Sequence, residues 1–133
     1  MNDELKKIIE QSSFEVQKGM YVYAKVKSIP EGKNHFMVSQ DSDEITVVTR
    51  EENLKDLDLI ERNKDNYSLI ALNVSVPFYA VGFLATVSGA IAKAEMNILI
   101  ISTYSKDYIM VRKDKLEQAK QVLLSLGFKE ARI

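Results

Sequence analysis

The sequence predicts an α+β fold with the order β-α-β-β-α-β, an antiparallel sheet with its helices packed on one face. Three observations predict it. From Tyr67 onward the apolar residues alternate between strand and helix periods in that order. Gly127 followed by Phe128 closes the last helical stretch. Two segments with the same hairpin spacing divide the chain into halves.

The elements can be justified in turn. Leu5, Ile8 and Ile9 stand at helical spacing and predict a short amphipathic helix over residues 2–11. In residues 20–27, Met20, Val22, Ala24 and Val26 alternate with Tyr21, Tyr23, Lys25 and Lys27, the period of a half-buried strand. Ile29, Pro30, Glu31 and Gly32 break that pattern. Residues 35–40 and 44–49 then flank Asp41, Ser42 and Asp43, which reads as a hairpin with a polar turn. The charged stretch 50–66, with Asn63, Lys64, Asp65 and Asn66, is the candidate boundary between halves.

In the second half, residues 67–74 read as a strand, and Pro77 suits the entry to a helix over residues 78–95. That helix carries two apolar stripes: Val81, Leu84, Ala85, Ile91 and Ala92 on one side, and Phe83, Val87, Ala90 and Ala94 on the other. Gly82 and Gly89 fall in its interior, where Gly costs about 1 kcal/mol against Ala, so a close approach is expected there. Residues 97–103 and 107–112 form a second hairpin rich in Ile, Leu, Val and Tyr. Asp114 and Glu117 have capping-box spacing ahead of a helix whose buried stripe is Leu116, Ala119, Leu123 and Leu126. Residues 129–133 add a last strand.

The two hairpins align. Phe36-Met37-Val38-Ser39, four residues, Glu44 and Ile45-Thr46-Val47-Val48 parallels Leu99-Ile100-Ile101-Ser102, four residues, Asp107 and Tyr108-Ile109-Met110-Val111. In each copy an apolar strand ends in Ser and a carboxylate opens the return strand, which suits turn hydrogen bonding.

Composition excludes much. The 133 residues carry 18 basic and 19 acidic side chains, no Cys and one His, with a sequence pI near 5.9. Thiolate zinc, disulfides, Cys nucleophiles and multi-His metal sites are impossible, and the basic field that nucleic-acid binding needs is missing. Neither a metal nor a cofactor is expected. The five Gly never form a phosphate loop. His35 has no partner in sequence to orient it, and Asp41, Asp43 and Glu44 lack calcium-loop spacing. Residues 1–11, with Asp3, Glu4, Lys6 and Lys7, resemble neither a signal nor a transit peptide. The apolar stretches around 74–84 and 98–101 fall short of the ~20 residues of a membrane span. A cytoplasmic location is expected, with no nucleic-acid or membrane partner.

What remains is Ser102-Thr103-Tyr104-Ser105-Lys106-Asp107-Tyr108, which sets hydroxyls, a carboxylate and aromatic rings at a strand end. An ammonium needs a carboxylate and hydroxyl or carbonyl acceptors, and a carboxylate is received by the free N–H groups of a helix start. A small zwitterion suits both. No acidic residue lies between Asp65 and Glu95, so this region offers no counter-charge to a basic ligand side chain, and an apolar or neutral polar ligand is favoured.

Residues Val81-Gly82-Phe83-Leu84-Ala85, Ala92-Lys93-Ala94-Glu95-Met96-Asn97-Ile98 and Ile101-Ser102-Thr103-Tyr104-Ser105-Lys106-Asp107-Tyr108-Ile109-Met110-Val111 resemble the ACT domains of the CASTOR-like group. Gly19-Met20-Tyr21-Val22 and Asp43-Glu44-Ile45-Thr46-Val47-Val48 extend the resemblance over about residues 14–128 as tandem modules. It implies ferredoxin-like ACT modules in tandem: an N-terminal helix (1–12), a degenerate first module (13–64) and a second module (65–133).

It further implies non-enzymatic, regulatory binding of a small molecule, commonly an amino acid, where modules meet. By position, the pocket would use Ser102, Thr103, Tyr104 and Asp107 with Pro77, Phe78, Tyr79, Ala80 and Val81, Asp107 taking the ammonium and loop N–H groups the carboxylate. Gly82 would permit close helix approach without touching the ligand. Many ACT domains have a Gly in the loop that here reads Ser75-Val76-Pro77-Phe78-Tyr79-Ala80, so the aromatic rings either line the pocket or fill it. The doubly apolar helix adds the expectation of a homodimer. The alternative is a protein-interaction module that keeps the fold and binds no metabolite; an enzyme and an RNA-binding sheet have less support.

Overall fold

The computed structural model describes residues 1–74 and 80–132. Contacts gather them into two units, Met1–Lys18 with Ser68–Ile133, and Gly19–Tyr67.

The first unit has the elements α1 (Asp3–Glu10), β1 (Ser13–Val16), β6 (Tyr67–Asn73, from Ser68 on), α2 (Phe83–Lys93), β7 (Leu99–Ser102), β8 (Asp107–Arg112), α3 (Leu116–Leu126) and β9 (Lys129–Ala131). Its strand order is β7-β8-β6-β1-β9. From β6 onward this is the expected ferredoxin-like α+β arrangement, with β1 added between β6 and β9. The sheet is mixed because β1 pairs antiparallel with β6, Phe14 opposite Leu72, and parallel with β9, Phe14 opposite Glu130.

All three helices pack on one face. Leu5 and Ile9 of α1, Phe83, Val87 and Ile91 of α2, and Ala119 and Leu123 of α3 share one core with Phe14, Ile70, Leu72, Ile109 and Val111 of the sheet. Each large aliphatic side chain buried in this way is worth roughly 1.5–3 kcal/mol. Leu69, Ala71 and Met110, which point to the opposite face, are also fully buried.

The helix ends follow from local chemistry. Asn2 caps α1 by accepting from the Leu5 amide at 2.7 Å. Gly127 ends α3 at φ +116, with Phe128 N–H bonding Leu123 O and Gly127 N–H bonding Leu124 O, as its sequence signature requires. The expected cap at Asp114 does not form. Residues Lys113–Lys115 make a 3₁₀ turn instead, and the Asp114 carboxylate accepts from Arg112 at 3.0 Å.

The expected helix start at residue 78 is corrected. Pro77, Phe78 and Tyr79 lie outside the described residues, and α2 begins at Phe83. Gly82 stands just before it at φ +82, and Phe83 N–H closes a turn on Ala80 O. A left-handed residue there breaks the helical path, so Gly82 is an end residue rather than an interior one. The expected close approach is met at neither Gly: an added Cβ at Gly82 would lie an ordinary 3.8 Å from Leu5 Cδ2, and at Gly89 nothing among the described residues lies within 4 Å. Of the two stripes, Phe83, Val87 and Ile91 are buried and Leu84 and Ala94 pack partly buried against the same core, while Val81, Ala85 and Ala92 are exposed.

The second unit consists of β2 (Tyr21–Val26), β3 (Met37–Gln40), β4 (Ile45–Arg50), a 3₁₀ helix (Glu51–Asp56) and β5 (Leu59–Arg62). Its order is β5-β2-β4-β3, which repeats the β9-β6-β8-β7 order with no helix after β2 and a 3₁₀ helix in place of α3. Ala24, Val26 and Val47 form its small core, under Leu54 and Leu57. Arg62 bonds Glu51 at 3.1 Å and Asn66 at 2.5 Å, tying the 3₁₀ helix and β5 to the end of the unit.

The strands β1 and β5 have no counterpart in the sequence reading. Because β1 pairs with β6 and β9, and α1 shares a core with α2 and α3, residues 1–18 group with the second half.

Candidate functional site

The β7–β8 turn and the start of α2 face each other. Between them lies a cleft of about 470 Å³ lined by Ala80, Gly82, Phe83, Leu84, Ala85, Ser102, Thr103, Tyr104, Lys106 and Asp107.

The turn is held by its own polar groups. Ser102 and Asp107 are directly opposite in the strand register, and the Ser102 hydroxyl donates to Asp107 Oδ1 at 2.6 Å. Thr103 N–H and Oγ1 both donate to Lys106 O, at 2.8 and 3.2 Å. Asp107 and Lys106 are half-buried, and the Tyr104 ring is 86% exposed. Lys106 forms no ion pair among the described residues.

On the other wall, Gly82 has no side chain with which to cap α2, and the first turn of α2 holds no acidic residue. Among the described residues nothing caps the amides of Leu84 and Ala85 at the positive end of the helix. The cleft combines one carboxylate, one ammonium, hydroxyls and helix-start amides, the set needed to hold a small zwitterion.

Of the residues expected at the site, Ala80, Ser102, Thr103, Tyr104 and Asp107 line this cleft together. Val81 does not. It is 87% exposed and borders a separate shallow depression with Asn2, Glu4, Leu5 and Ile8. Pro77, Phe78 and Tyr79 lie outside the described residues, so their expected place in the pocket has no structural account. The sequence reading missed Gly82, Phe83, Leu84, Ala85 and Lys106. A later helix start would have brought the first four to the cleft; the Gly in an otherwise apolar stretch was the signal.

The hairpin repeat does not reproduce the Ser–carboxylate pair. In the first hairpin Ser39 lies opposite Thr46, and Glu44 is in the turn, 3.8 Å from Lys25. There Asp41 Oδ1 accepts from the amides of Asp43 and Glu44, at 2.8 and 3.0 Å, and sets a different register. His35 Nδ1 lies 2.9 Å from the buried Thr49 hydroxyl, which also accepts from Asn53. No cluster of three metal-ligating residues occurs among the described residues. Among them, no helix is long and apolar enough to cross a membrane.

Fold and geometry define a ferredoxin-like α+β module with a cleft between α2 and the β7–β8 hairpin. Residues 63–125 match the family model of the ACT domain. A protein of unknown function from Vibrio cholerae, described as a possible transport protein, is similar at 25% identity and TM-score 0.78, covering 93% of this chain and 96% of its own. The protein Atu0741 from Agrobacterium tumefaciens is 19% identical with TM-score 0.71, over 92% and 93%. The regulatory subunit of aspartate kinase from Thermus thermophilus, in its ligand-free form, is 10% identical with TM-score 0.61, over 86% and 97%. These last two likenesses are of fold. No curated protein matches the chain in sequence.

Proposed function

We propose that the chain is a non-enzymatic regulatory protein that binds an amino acid in the cleft between the start of α2 and the β7–β8 turn. The observation that carries this reading is the meeting of Asp107, Lys106 and the uncapped α2 amides around one cavity. Asp107 receives the α-ammonium through the oxygen that Ser102 leaves free, and the amides and Lys106 receive the α-carboxylate. The likeness to a regulatory subunit of aspartate kinase supports a regulatory role over a catalytic one.

In this reading the two units are ACT-like modules in tandem, similar to the CASTOR-like group, and the protein is a cytoplasmic homodimer. The first unit has the full set of strands and helices, and the second retains the strand order alone.

A thermal-shift screen of the twenty standard amino acids tests the proposal. A ligand at 100 times its Kd adds about 2.7 kcal/mol, a shift of several degrees. At least one amino acid should raise Tm, and Asp107→Ala should remove the effect. A flat screen, or a shift that survives Asp107→Ala, overturns it.

A second reading, an interaction module that binds no metabolite, is favoured by the exposed apolar face of Val81, Ala85 and Ala92. A flat screen with a dimer in sedimentation would support that reading instead.

A further inference from the structure

We infer that the amino acid held in this cleft has an uncharged, apolar side chain, so that leucine-like ligands enter and lysine, arginine, aspartate and glutamate are rejected. The inference rests on the binding reading above and names the class of ligand it leaves undefined.

Lys106 and Asp107 are the charged residues among those lining the cleft. Residues 66–92, the whole segment from the end of the Asn63–Asn66 stretch through most of α2, contain no Asp, Glu, Lys, Arg or His. No residue of that segment can add a charge to the wall. On the hairpin side Ser102, Thr103, Tyr104 and Ser105 are neutral, so the charges there are those of Lys106 and Asp107.

A zwitterion matches one carboxylate and one ammonium one to one. A third charge on the ligand has no partner, and removing it from water is unfavourable unless it is paired. For a basic side chain the conflict is sharper, because the α2 start adds partial positive charge and holds no acidic residue in its first turn. Asp107 is already shared with Ser102 and has one oxygen left to give.

An acidic ligand is the closer rival, because Lys106 could hold its second carboxylate while the α2 amides hold the first. The rest of the wall argues against it. Ala80, Leu84, Ala85 and the ring of Tyr104 present hydrocarbon to whatever projects beyond the α-carbon. An apolar side chain against that wall is favoured by about 25 cal/mol per Å² of surface it buries, a gain that a carboxylate forgoes.

Calorimetric titration of the intact chain with norleucine and lysine, which is norleucine with an ammonium on its terminal carbon, and with leucine, glutamine and glutamate, tests this directly. Norleucine and leucine should bind at least about tenfold more tightly than lysine and glutamate. Ala85→Asp, a substitution at an exposed cleft position in the first turn of α2, should shift the norleucine-to-lysine ratio about tenfold toward lysine. Equal or tighter binding of lysine or glutamate by the unsubstituted chain overturns the inference while leaving amino-acid binding intact. An unchanged ratio in Ala85→Asp, with leucine still bound, also overturns it. Failure of every amino acid to bind overturns the binding reading and this inference together.

Discussion

Ser102 Oγ donates to Asp107 Oδ1 across 2.6 Å, and the two residues sit directly opposite each other at the last register position of β7 and β8. The bond fixes the carboxylate rotamer at the mouth of the cleft and leaves its second oxygen for a ligand. Ser102→Ala should therefore keep the fold and weaken amino-acid binding about fivefold, near the 1 kcal/mol worth of one hydrogen bond. Asp107→Asn should weaken it by about tenfold or more, because a charged acceptor is lost. Calorimetry of the two variants checks the order; an unaltered affinity in Ser102→Ala would contradict the positioning role.

Gly82 holds φ +82 between the cleft and α1. Its missing Cβ would meet Leu5 at an ordinary 3.8 Å, so the cost of Gly82→Ala is in the backbone and not in a clash. Urea denaturation should show a loss of about 1–2 kcal/mol. A neutral result would mean that the turn adopts a different conformation.

Glu95 is a non-glycine residue at φ +61, just after α2, where Met96 N–H bonds Ile91 O and Glu95 N–H bonds Ala92 O. This is the helix stop that Gly ordinarily makes. Glu95→Gly should stabilise the protein by about 0.5–1 kcal/mol, read as a rise in the urea midpoint.

Burial, and secondarily the neighbouring Tyr67, raises the Tyr23 phenol above its ordinary 10.0. The folded state then keeps this proton longer than the unfolded chain does. Stability is thus full below about pH 10 and falls as pH climbs through the folded value. Lys120, raised by its bond to Glu130, acts in the same direction, its contribution present below 10.5 and lost above. Denaturation at a series of pH values should show the fall, and Tyr23→Phe should flatten part of it.

The elements legible in the sequence were those with a strong local signal. The α3 stop at Gly127 and Phe128, the alternation of β2 and the hairpin spacing each carry their geometry in consecutive residues. The strand β1 was hidden because only Phe14 of its four residues is fully buried, and β5 because Leu59 and Ile60 are exposed. The start of α2 was misplaced because an apolar run with Pro77 near its beginning looks helical throughout, and only a left-handed Gly82 interrupts it. At the site, Ser102, Thr103, Tyr104 and Asp107 were readable as a polar cluster on a strand end. Leu84, Ala85 and Lys106 were not, since their role depends on where the helix starts and on which way a turn residue faces. The repeated Ser–carboxylate spacing misled, because the Asp41 turn sets the first hairpin in another register.

The central claim is that an amino acid occupies the cleft between α2 and the β7–β8 turn. Amide chemical shifts of the isotope-labelled chain, followed while leucine is added, test it most directly. The account predicts saturable shifts that cluster at Gly82, Leu84, Ala85, Thr103, Lys106 and Asp107, while the first hairpin around residues 40–45 stays unmoved. Shifts confined to that hairpin, or none with any amino acid, would contradict it.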